Sequence, residues 1–449
     1  MKIRHFIGVD VGGTKISSAV VTNSGSILAR HKVDTPRMAK PDEILKGISD
    51  NISSLLAQCG MTIENISGIG IGLPGIFDEK RDKVIVSPNL NIDGFSCREA
   101  VEKKYNVPAA TENDVNVGLL GEHWLGSARA GKNIIGIFPG TGIGGAFMID
   151  GRLYTGSFGA ATEIGHVIMY PGGDKCGCKN RGCLEAVASR LSIERDILKA
   201  IKSGKKSAIT KIVGKNPSII KSGALKKALK MKDQLVKKVL RTAAENIGIS
   251  CVNLRHILDP DVIVLGGGLI EACGDYILPI IIKTVESDAY FASIPKANIV
   301  KASLGDDAAI LGAVALIQAK LGLKLGHGTI YPSIRSEAPG KVIIDNETFT
   351  DDVFIRADGD IKRRKKKKAV KKFGTALKIG DDELKKICKK TPEVLFVGAG
   401  YEEKAELDEK GEMFLNENLI EFKVSTTPDA VTAYNECQKR KAILLLVGN

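Results

Sequence analysis

"GTGIGGAFMIDGRLY", residues 140–154, decides which fold this chain takes. Its first six residues fit GxGxxG, the dinucleotide fingerprint, which needs a helix directly after the glycines so that a pyrophosphate can rest on the helix N-terminus. Here AFMIDGRLY follows, alternating at strand period and turning at Asp150-Gly151. The context contradicts a Rossmann site and favours a Gly-rich hairpin. Backbone N–H groups in such a turn can wrap a phosphate, because glycine puts no Cβ in the way. A second hairpin of this kind opens the chain. GVDVGGTK, residues 8–15, ends a strand at Gly12-Gly13-Thr14 and runs on into ISSAVVTNSGSILARHKVDT, which reads as a hairpin turning at Asn23-Ser24-Gly25.

Outward from these loops the chain reads as two rounds of a strand meander followed by alternating helices and strands. The first round continues with a helix from about Pro41 to Cys59, a buried strand in ISGIGIGLPGIFD, a helix in CREAVEKKYN, a strand in VPAATEND and a helix through Trp124. The second passes through helical sequence to about Leu258, then DVIVLGGGLIEA (strand, Gly turn, helix) and ANIVKASLGDDAAILGAVALIQAKLG (strand and final helix). The two rounds repeat an architecture, not residues. After about Leu325 the character changes. KVIIDNETFTDDVFIRADGDIKRRKKKK reads as three short strands with an exposed basic turn, followed by strand, helix, strand, helix and strand to VGN, a separate small α/β domain. The helix in TTPDAVTAYNECQKR starts at a Thr cap with Pro in its first turn.

The chain has 449 residues, enough for two to four domains with substantial cores, and 26% charged residues, ordinary for a soluble protein. No apolar run reaches membrane-spanning length, and MKIRHFIGVDVGGTK is a strand and turn rather than a signal peptide, so a cytoplasmic location is expected. Nine cysteines then read as ligands and core thiols before disulfides. The net charge of +13 sits in one segment, Arg195 to Arg241, which holds fifteen Lys/Arg against two Asp/Glu. That segment is either a solvated helix face or a landing surface for a polyanion such as polyphosphate; it has no interleaved aromatics for stacking nucleic-acid bases. The run KRRKKKK near the C-terminus has an anionic partner as its second reading.

Chemistry-bearing residues gather at four places. Asp10, at the end of the first strand, can hold a magnesium ion through water. TENDVN sets Asn113 and Asp114 at a strand-to-helix boundary, where Asp114 is either a helix cap or a general base taking a proton from a hydroxyl that attacks phosphorus. Gly266, Gly267 and Gly268 lie between a strand and a helix, where a nucleotide can rest. The densest stretch is EIGHVIMYPGGDKCGCKNRGCLE, residues 163–185. His166, Cys176, Cys178 and Cys183 supply a closed His-Cys₃ set for structural zinc, with glycines that let the ligands converge.

With these motifs in hand, the chain from about Lys2 to Leu321 resembles the ROK family of sugar kinases. The resemblance is carried by GVDVGGTK, IGIGLPG, END, GTGIGG, EIGH, CGCKNRGCLE, DPDVIVLGGG and LGDDAAILGA. It implies two actin-like ATPase (ribonuclease H-like) lobes around a cleft that binds ATP and a hexose. The lobes would be residues 1–120, with a returning helix at about 305–322, and 121–304, followed by a linker at 323–339 and the small domain at 340–449. Carried over by motif, Asp114 is the catalytic base, and Gly75, Asn89, Asn113, Asp114, Glu163, His166 and Glu185 face the sugar. Asp10, Gly12, Gly13, Thr14, Lys15, Gly140, Thr141, Gly142 and Gly266 to Gly268 serve phosphates and adenosine. His166 would serve zinc through one ring nitrogen and sugar through the other. Two positions depart from the family pattern: Thr162 stands where glycine usually precedes EIGH, and Ala146 where another glycine is common. Family members that are transcription repressors carry an N-terminal helix-turn-helix, for which a first loop at residue 8 leaves no room. The resulting expectation is a Mg²⁺- and ATP-dependent hexose kinase, glucose or a related hexose or amino sugar, with no DNA-binding domain and a homodimeric state. A sugar sensor without turnover and a polyphosphate-dependent kinase are the alternatives. The C-terminal part, on DDVFIRADGDIKRR, VLFVGAG and TTPDAVTAYNE, resembles the adipogenesis-associated Mth-type domain family, which implies a fold and little more.

Overall fold

In the strands at 5–11, 15–22 and 66–73 most positions are buried, and Val, Ile and Gly are the commonest residues, as expected of strands covered on both faces. The structure, a computed structural model, describes every residue except 1–2, 79–81, 88, 130, 215–218, 295–296, 324, 326–330, 346, 358, 390–391, 403, 438–440 and 448–449. The chain divides into two compact units, Met1–Gly326 and His327–Asn449.

The first unit opens with the antiparallel meander β1 (His5–Val11), β2 (Lys15–Thr22) and β3 (Ile27–Asp34). Helix α1 (Pro41–Cys59) has Pro in its first turn and stops at Gly60, whose left-handed φ of 60° ends the helix. Then come β4 (Ile66–Leu73), a short hairpin of β5 (Ile76–Asp78) and β6 (Lys83–Val86), helix α2 (Cys97–Tyr105), β7 (Ala109–Asn113) and helix α3 (Asp114–Trp124). The sheet order is β3-β2-β1-β4-β7, with parallel pairing from β1 through β7.

The second round begins with the meander β8 (Ile134–Pro139), β9 (Ile143–Ile149) and β10 (Arg152–Leu153). Residues 140–154 are therefore a hairpin and its continuation, and no helix follows their glycines. Helices α4 (Leu184–Ala188), α5 (Arg190–Lys202), α6 (Ile209–Ile212), α7 (Ser222–Lys230) and α8 (Gln234–Leu258) lead to β11 (Val262–Leu265), α9 (Gly268–Glu286) and β12 (Asn298–Lys301). This sheet runs β10-β9-β8-β11-β12, the same order as the first. Both lobes thus share the strand order of the actin-like ATPase fold.

Helix α10 (Asp307–Lys320) returns to the first lobe and packs against α3, β1 and β4. The approach is backbone to backbone. A Cβ on Gly312 would lie 1.6 Å from the Val117 carbonyl oxygen, and one on Gly70 would lie 1.8 Å from that of Ala313. Helix α3 and the start of α10 are also joined by Glu122, fully buried, whose carboxylate accepts the N–H groups of Ser127 (2.8 Å), Ser303 (2.9 Å) and Leu304 (2.8 Å). These N–H groups meet the demand of a buried carboxylate for hydrogen bonds.

In the second unit, β13 (Ile334–Ala338), β14 (Lys341–Ile344) and β15 (Glu347–Phe349) form a three-stranded sheet. They precede β16 (Val353–Ile355), β17 (Ile361–Arg363), α11 (Lys366–Phe373), β18 (Lys378–Ile379), α12 (Asp381–Ile387), β19 (Val394–Gly398), β20 (Glu406–Leu407), α13 (Glu409–Glu417), β21 (Glu421–Ser425), α14 (Thr427–Glu436) and β22 (Lys441–Leu445). A mixed sheet of order β17-β16-β22-β19-β21 carries the core. The expected linker, 323–339, lies partly outside the described residues (324 and 326–330), and β13 occupies its end.

Two local expectations are corrected here. Residues 341–363 form four strands, not three. KRRKKKK is not an exposed turn: Lys362 and Arg363 end β17, Arg364 is buried, and Lys366 begins α11. Lysine is a good helix former, and Ala369 gives this helix an apolar anchor that the charge density of the run obscured. Arg364 is neutralised by Glu383 at 2.8 Å and Asp352 at 3.3 Å.

Candidate active site and metal centre

Strand β7 runs directly into helix α3, and the first N–H groups of that helix need a cap. Asn113 supplies it, its Oδ1 accepting the N–H groups of Val115 (2.8 Å) and Asn116 (3.1 Å). Asp114, which the sequence leaves open as a cap, is instead the first helical residue. Burial pushes its carboxyl up to about 6; N–H donors, including Val115 at 3.0 Å, oppose that shift, and Glu163 adds to it. Asn113 also donates through Nδ2 to the Gly75 carbonyl (3.1 Å), which leaves one amide hydrogen for a ligand. Gly75 has a φ of 138°, and a Cβ there would lie 2.6 Å from the Val86 carbonyl oxygen. Glu112 braces the junction by accepting from Asn113 N (2.6 Å) and Asn116 Nδ2 (3.0 Å), a role that is tertiary and has no sequence signature.

Asp10 lies at the end of β1. Burial, then the charges of Asp114 and Asp306, raise its pKa to about 7. Asp10 therefore feels the charge of two carboxylates that lie elsewhere in the chain. Asp306, just ahead of α10, is a neighbour that sequence reading missed. The adjacent turn is closed by Gly12 N donating to Lys15 O (2.8 Å), and the Thr35 hydroxyl donates to Gly12 O (2.9 Å). Asn89 lies against this turn, 3.4 Å from where a Gly13 Cβ would stand. Lys15 is exposed at the start of β2.

The second loop closes in the same way, Gly140 N donating to Gly142 O (2.8 Å). Arg190 holds it from the start of α5: its N–H donates to Gly140 O (2.9 Å) and its Nη2 to the Thr141 hydroxyl (3.3 Å). Sequence reading passed over Arg190; its one signal is its place right after the cap residue Ser189. Gly267, at φ 78°, caps α9, and a Cβ there would lie 2.9 Å from the Pro139 carbonyl oxygen. The turn Gly266–Gly268 therefore abuts the second Gly-rich loop.

The cysteine stretch closes on itself. The ligand atoms of His166, Cys176, Cys178 and Cys183 all lie within 4.8 Å of one another, with Cys176 Sγ 3.6 Å from His166 Nδ1 and Cys178 Sγ 3.7 Å from Cys183 Sγ. Tetrahedral zinc with Zn–S bonds of about 2.3 Å needs sulfur atoms about 3.8 Å apart, so the donor set fits that ion in both chemistry and spacing. Gly182, at φ 79°, is required here: a Cβ would stand 1.7 Å from the Tyr170 carbonyl oxygen. Glu185 joins this cluster to the Gly-rich hairpin at 140–154. Its Oε2 accepts Ile143 N (3.0 Å) and its Oε1 lies 3.5 Å from Cys176 Sγ. Gly142 makes room for it, since a Cβ there would lie 2.3 Å from Oε2. Glu163 has its carboxyl raised mainly by burial, with Glu185 adding to the rise and His166 opposing it.

Thr162 stands where the resemblance implies glycine. It sits at φ 68°, a conformation that is an outlier for a β-branched residue, and its hydroxyl donates to Gly145 O (3.1 Å). Ala146, the second departure, is fully buried in β9, within the hairpin itself.

Comparison with known proteins converges on one family. The ROK family model matches residues 6–320. A glucokinase of Halalkalibacterium halodurans is 31% identical over 319 residues, 71% of this chain and 96% of that relative. A xylose repressor of Caldicellulosiruptor bescii is 28% identical over 315 residues, 70% of this chain and 78% of the repressor. Among solved structures, a ROK family glucokinase from Streptomyces griseus in complex with glucose and AMPPNP superimposes with a TM-score of 0.60 at 29% identity, covering 70% of this chain and 98% of that one.

Proposed function

Because the chain belongs to the ROK family, we propose that it phosphorylates a hexose, glucose or a related hexose or amino sugar, at the expense of Mg·ATP. The observation that carries this reading is Asp114: a buried carboxylate at the head of α3, raised to about 6, with the capping duty taken by Asn113. A base titrating there is ionised at neutral pH and still holds a proton well enough to accept it from an attacking hydroxyl. In the proposed reaction the sugar hydroxyl oxygen attacks the γ-phosphorus in line, its proton passes to Asp114, and the bond to the bridging oxygen of ADP breaks. Asn89, Asn113, Glu163, His166, Glu185 and the Gly75 loop orient the sugar. Gly12 to Lys15 and Gly140 to Gly142 would hold phosphates, Gly266 to Gly268 the adenosine, and Asp10 would hold a magnesium ion, which would neutralise phosphate charge. Closure of the two lobes excludes water and limits ATP hydrolysis.

His166 Nδ1 and the thiolates of Cys176, Cys178 and Cys183 would hold a zinc ion, which in this reading would fix Glu163, His166 and Glu185. The relative named as a glucokinase and the solved glucokinase with glucose and AMPPNP support the substrate pair. The relative named as a xylose repressor favours a second reading, a sugar sensor without turnover, and the lysines of 195–241 favour a third, polyphosphate as donor. The second unit is read as a domain of the adipogenesis-associated Mth type, and the kinase as a homodimer. A coupled assay across hexoses and amino sugars, with ATP and polyphosphate as donors, tests all three. Transfer from ATP supports the kinase, faster transfer from polyphosphate supports the third reading, and transfer from neither supports the sensor.

A further inference from the structure

Strands β16 and β17 and helices α11 and α12 of the second unit line an open concavity of about 530 Å³. Seven cationic side chains line it against two carboxylates, Asp382 and Glu383. Both carboxylates are already matched. Glu383 accepts the buried guanidinium of Arg364 through bonds of 2.8 and 3.0 Å, and Asp382 lies 3.5 Å from Lys372 Nζ. Arg356 and Lys362 share Asp360, and Arg363 faces Asp351. Lys365, Lys368 and Lys386 are left with no carboxylate partner among the described residues.

Unpaired lysines on a flat surface are ordinarily a solvated face. These three converge on a concavity whose wall also carries the rings of Phe354 and Phe373. Phe373 is seated on Gly380, where a Cβ would lie 2.9 Å from the ring. The volume falls within the roughly 300–1,000 Å³ of small-molecule sites and is far larger than one phosphate needs, so there is room for an organic part beside the phosphate. Three uncompensated positive charges beside low-dielectric walls favour a ligand with at least two negative charges.

We propose that this cavity binds a phosphorylated small molecule, its phosphate on Lys365, Lys368 and Lys386 and its ring against Phe354 and Phe373. The proposal stands apart from the kinase reading and needs no turnover.

Full-length protein is titrated calorimetrically at 0.15 M ionic strength (about an 8 Å screening length) with glucose 6-phosphate, ADP and inorganic pyrophosphate. The same titrations use the triple variant K365A/K368A/K386A, whose exposed substitutions leave the melting temperature unchanged. The expected result is that glucose 6-phosphate or ADP shows a binding component weakened at least tenfold in the variant; which of the two responds tells a phosphosugar site from a nucleotide site. Isotherms unchanged by the triple substitution overturn the proposal, as does an effect confined to pyrophosphate, which has the charge but no ring. The variant K365R/K368R/K386R, keeping the charge, should retain the component; its loss there despite unchanged melting would also count against the assignment.

Discussion

Protonating Asp114 is predicted to stop phosphoryl transfer, and the pH at which this happens follows from its surroundings. Burial lifts the carboxyl from 3.8 to about 6. By simple titration its ionised fraction falls from about nine tenths at pH 7 to about one tenth at pH 5, whereas an ordinary aspartate would still be about 94% ionised at pH 5. The turnover rate should therefore drop roughly tenfold between pH 7 and pH 5, and Asp114→Asn should lower it by about 10² to 10⁴ and flatten what remains of the profile. Sugar affinity should change little, because the amide is isosteric and the cap belongs to Asn113. The assay is continuous detection of ADP release from pH 5 to 8, with folding checked at each pH. Asp10, raised to about 7, titrates nearby; a bound divalent cation lowers its pKa, so repeating the profile at two magnesium concentrations separates the limbs. A wild-type rate that stays flat down to pH 5, or an Asp114→Asn variant within tenfold of wild type, would refute the assignment.

Three further outcomes are expected. Metal analysis should find one zinc per chain, and chelation or Cys178→Ser should lower the melting temperature and weaken hexose binding at least about tenfold, since loops fixed by the metal would loosen; unchanged sugar affinity after zinc loss would contradict this. Asp10 has a folded-state pKa raised from 3.8 to about 7, so its favourable contribution is complete below 3.8 and is lost as pH climbs through about 7. Asp10→Asn should therefore raise the melting temperature of metal-free protein at pH 8 and hardly at pH 4, and an equal gain at both would contradict that sign. Gly312→Ala, which drives a Cβ to 1.6 Å from the Val117 carbonyl oxygen, should cost about 3 kcal/mol or more. Gly223→Ala in α7, with open space around it, should instead gain about 0.5–1 kcal/mol; urea titration of both variants checks the contrast.

Features set by local chemistry were legible in the chain itself. Helix α1 could be placed at Pro41–Cys59 because Pro at its start and Gly60 at its end are signals within the segment. The hairpin at 140–154 could be told from a dinucleotide loop because strand alternation follows its glycines, and the metal ligands could be grouped because three lie within eight residues of one another and the fourth close by. What escaped reading depends on distant partners. Arg190 reaches Thr141 across 49 positions, and Glu122 ties Ser303 across 181. Asp114 could not be distinguished from a cap until Asn113 was seen filling that role. The basic run before Phe373 was misread because charge density outweighed the single alanine that anchors α11. The strained backbone at Thr162 gives no sign in its own residue type.

Helix α10 has a consequence for how the chain comes into being. The first lobe's sheet is complete at Asn113, yet the helix that covers its close-packed glycines begins at Asp307. At synthesis rates of about 5–20 residues per second, the ribosome needs about ten to forty seconds to bridge that gap. Throughout that interval the face of β1, β4 and α3 that α10 covers has no partner from its own lobe. The first lobe therefore finishes folding only after the second has been made, although its sheet is encoded in the opening quarter of the chain.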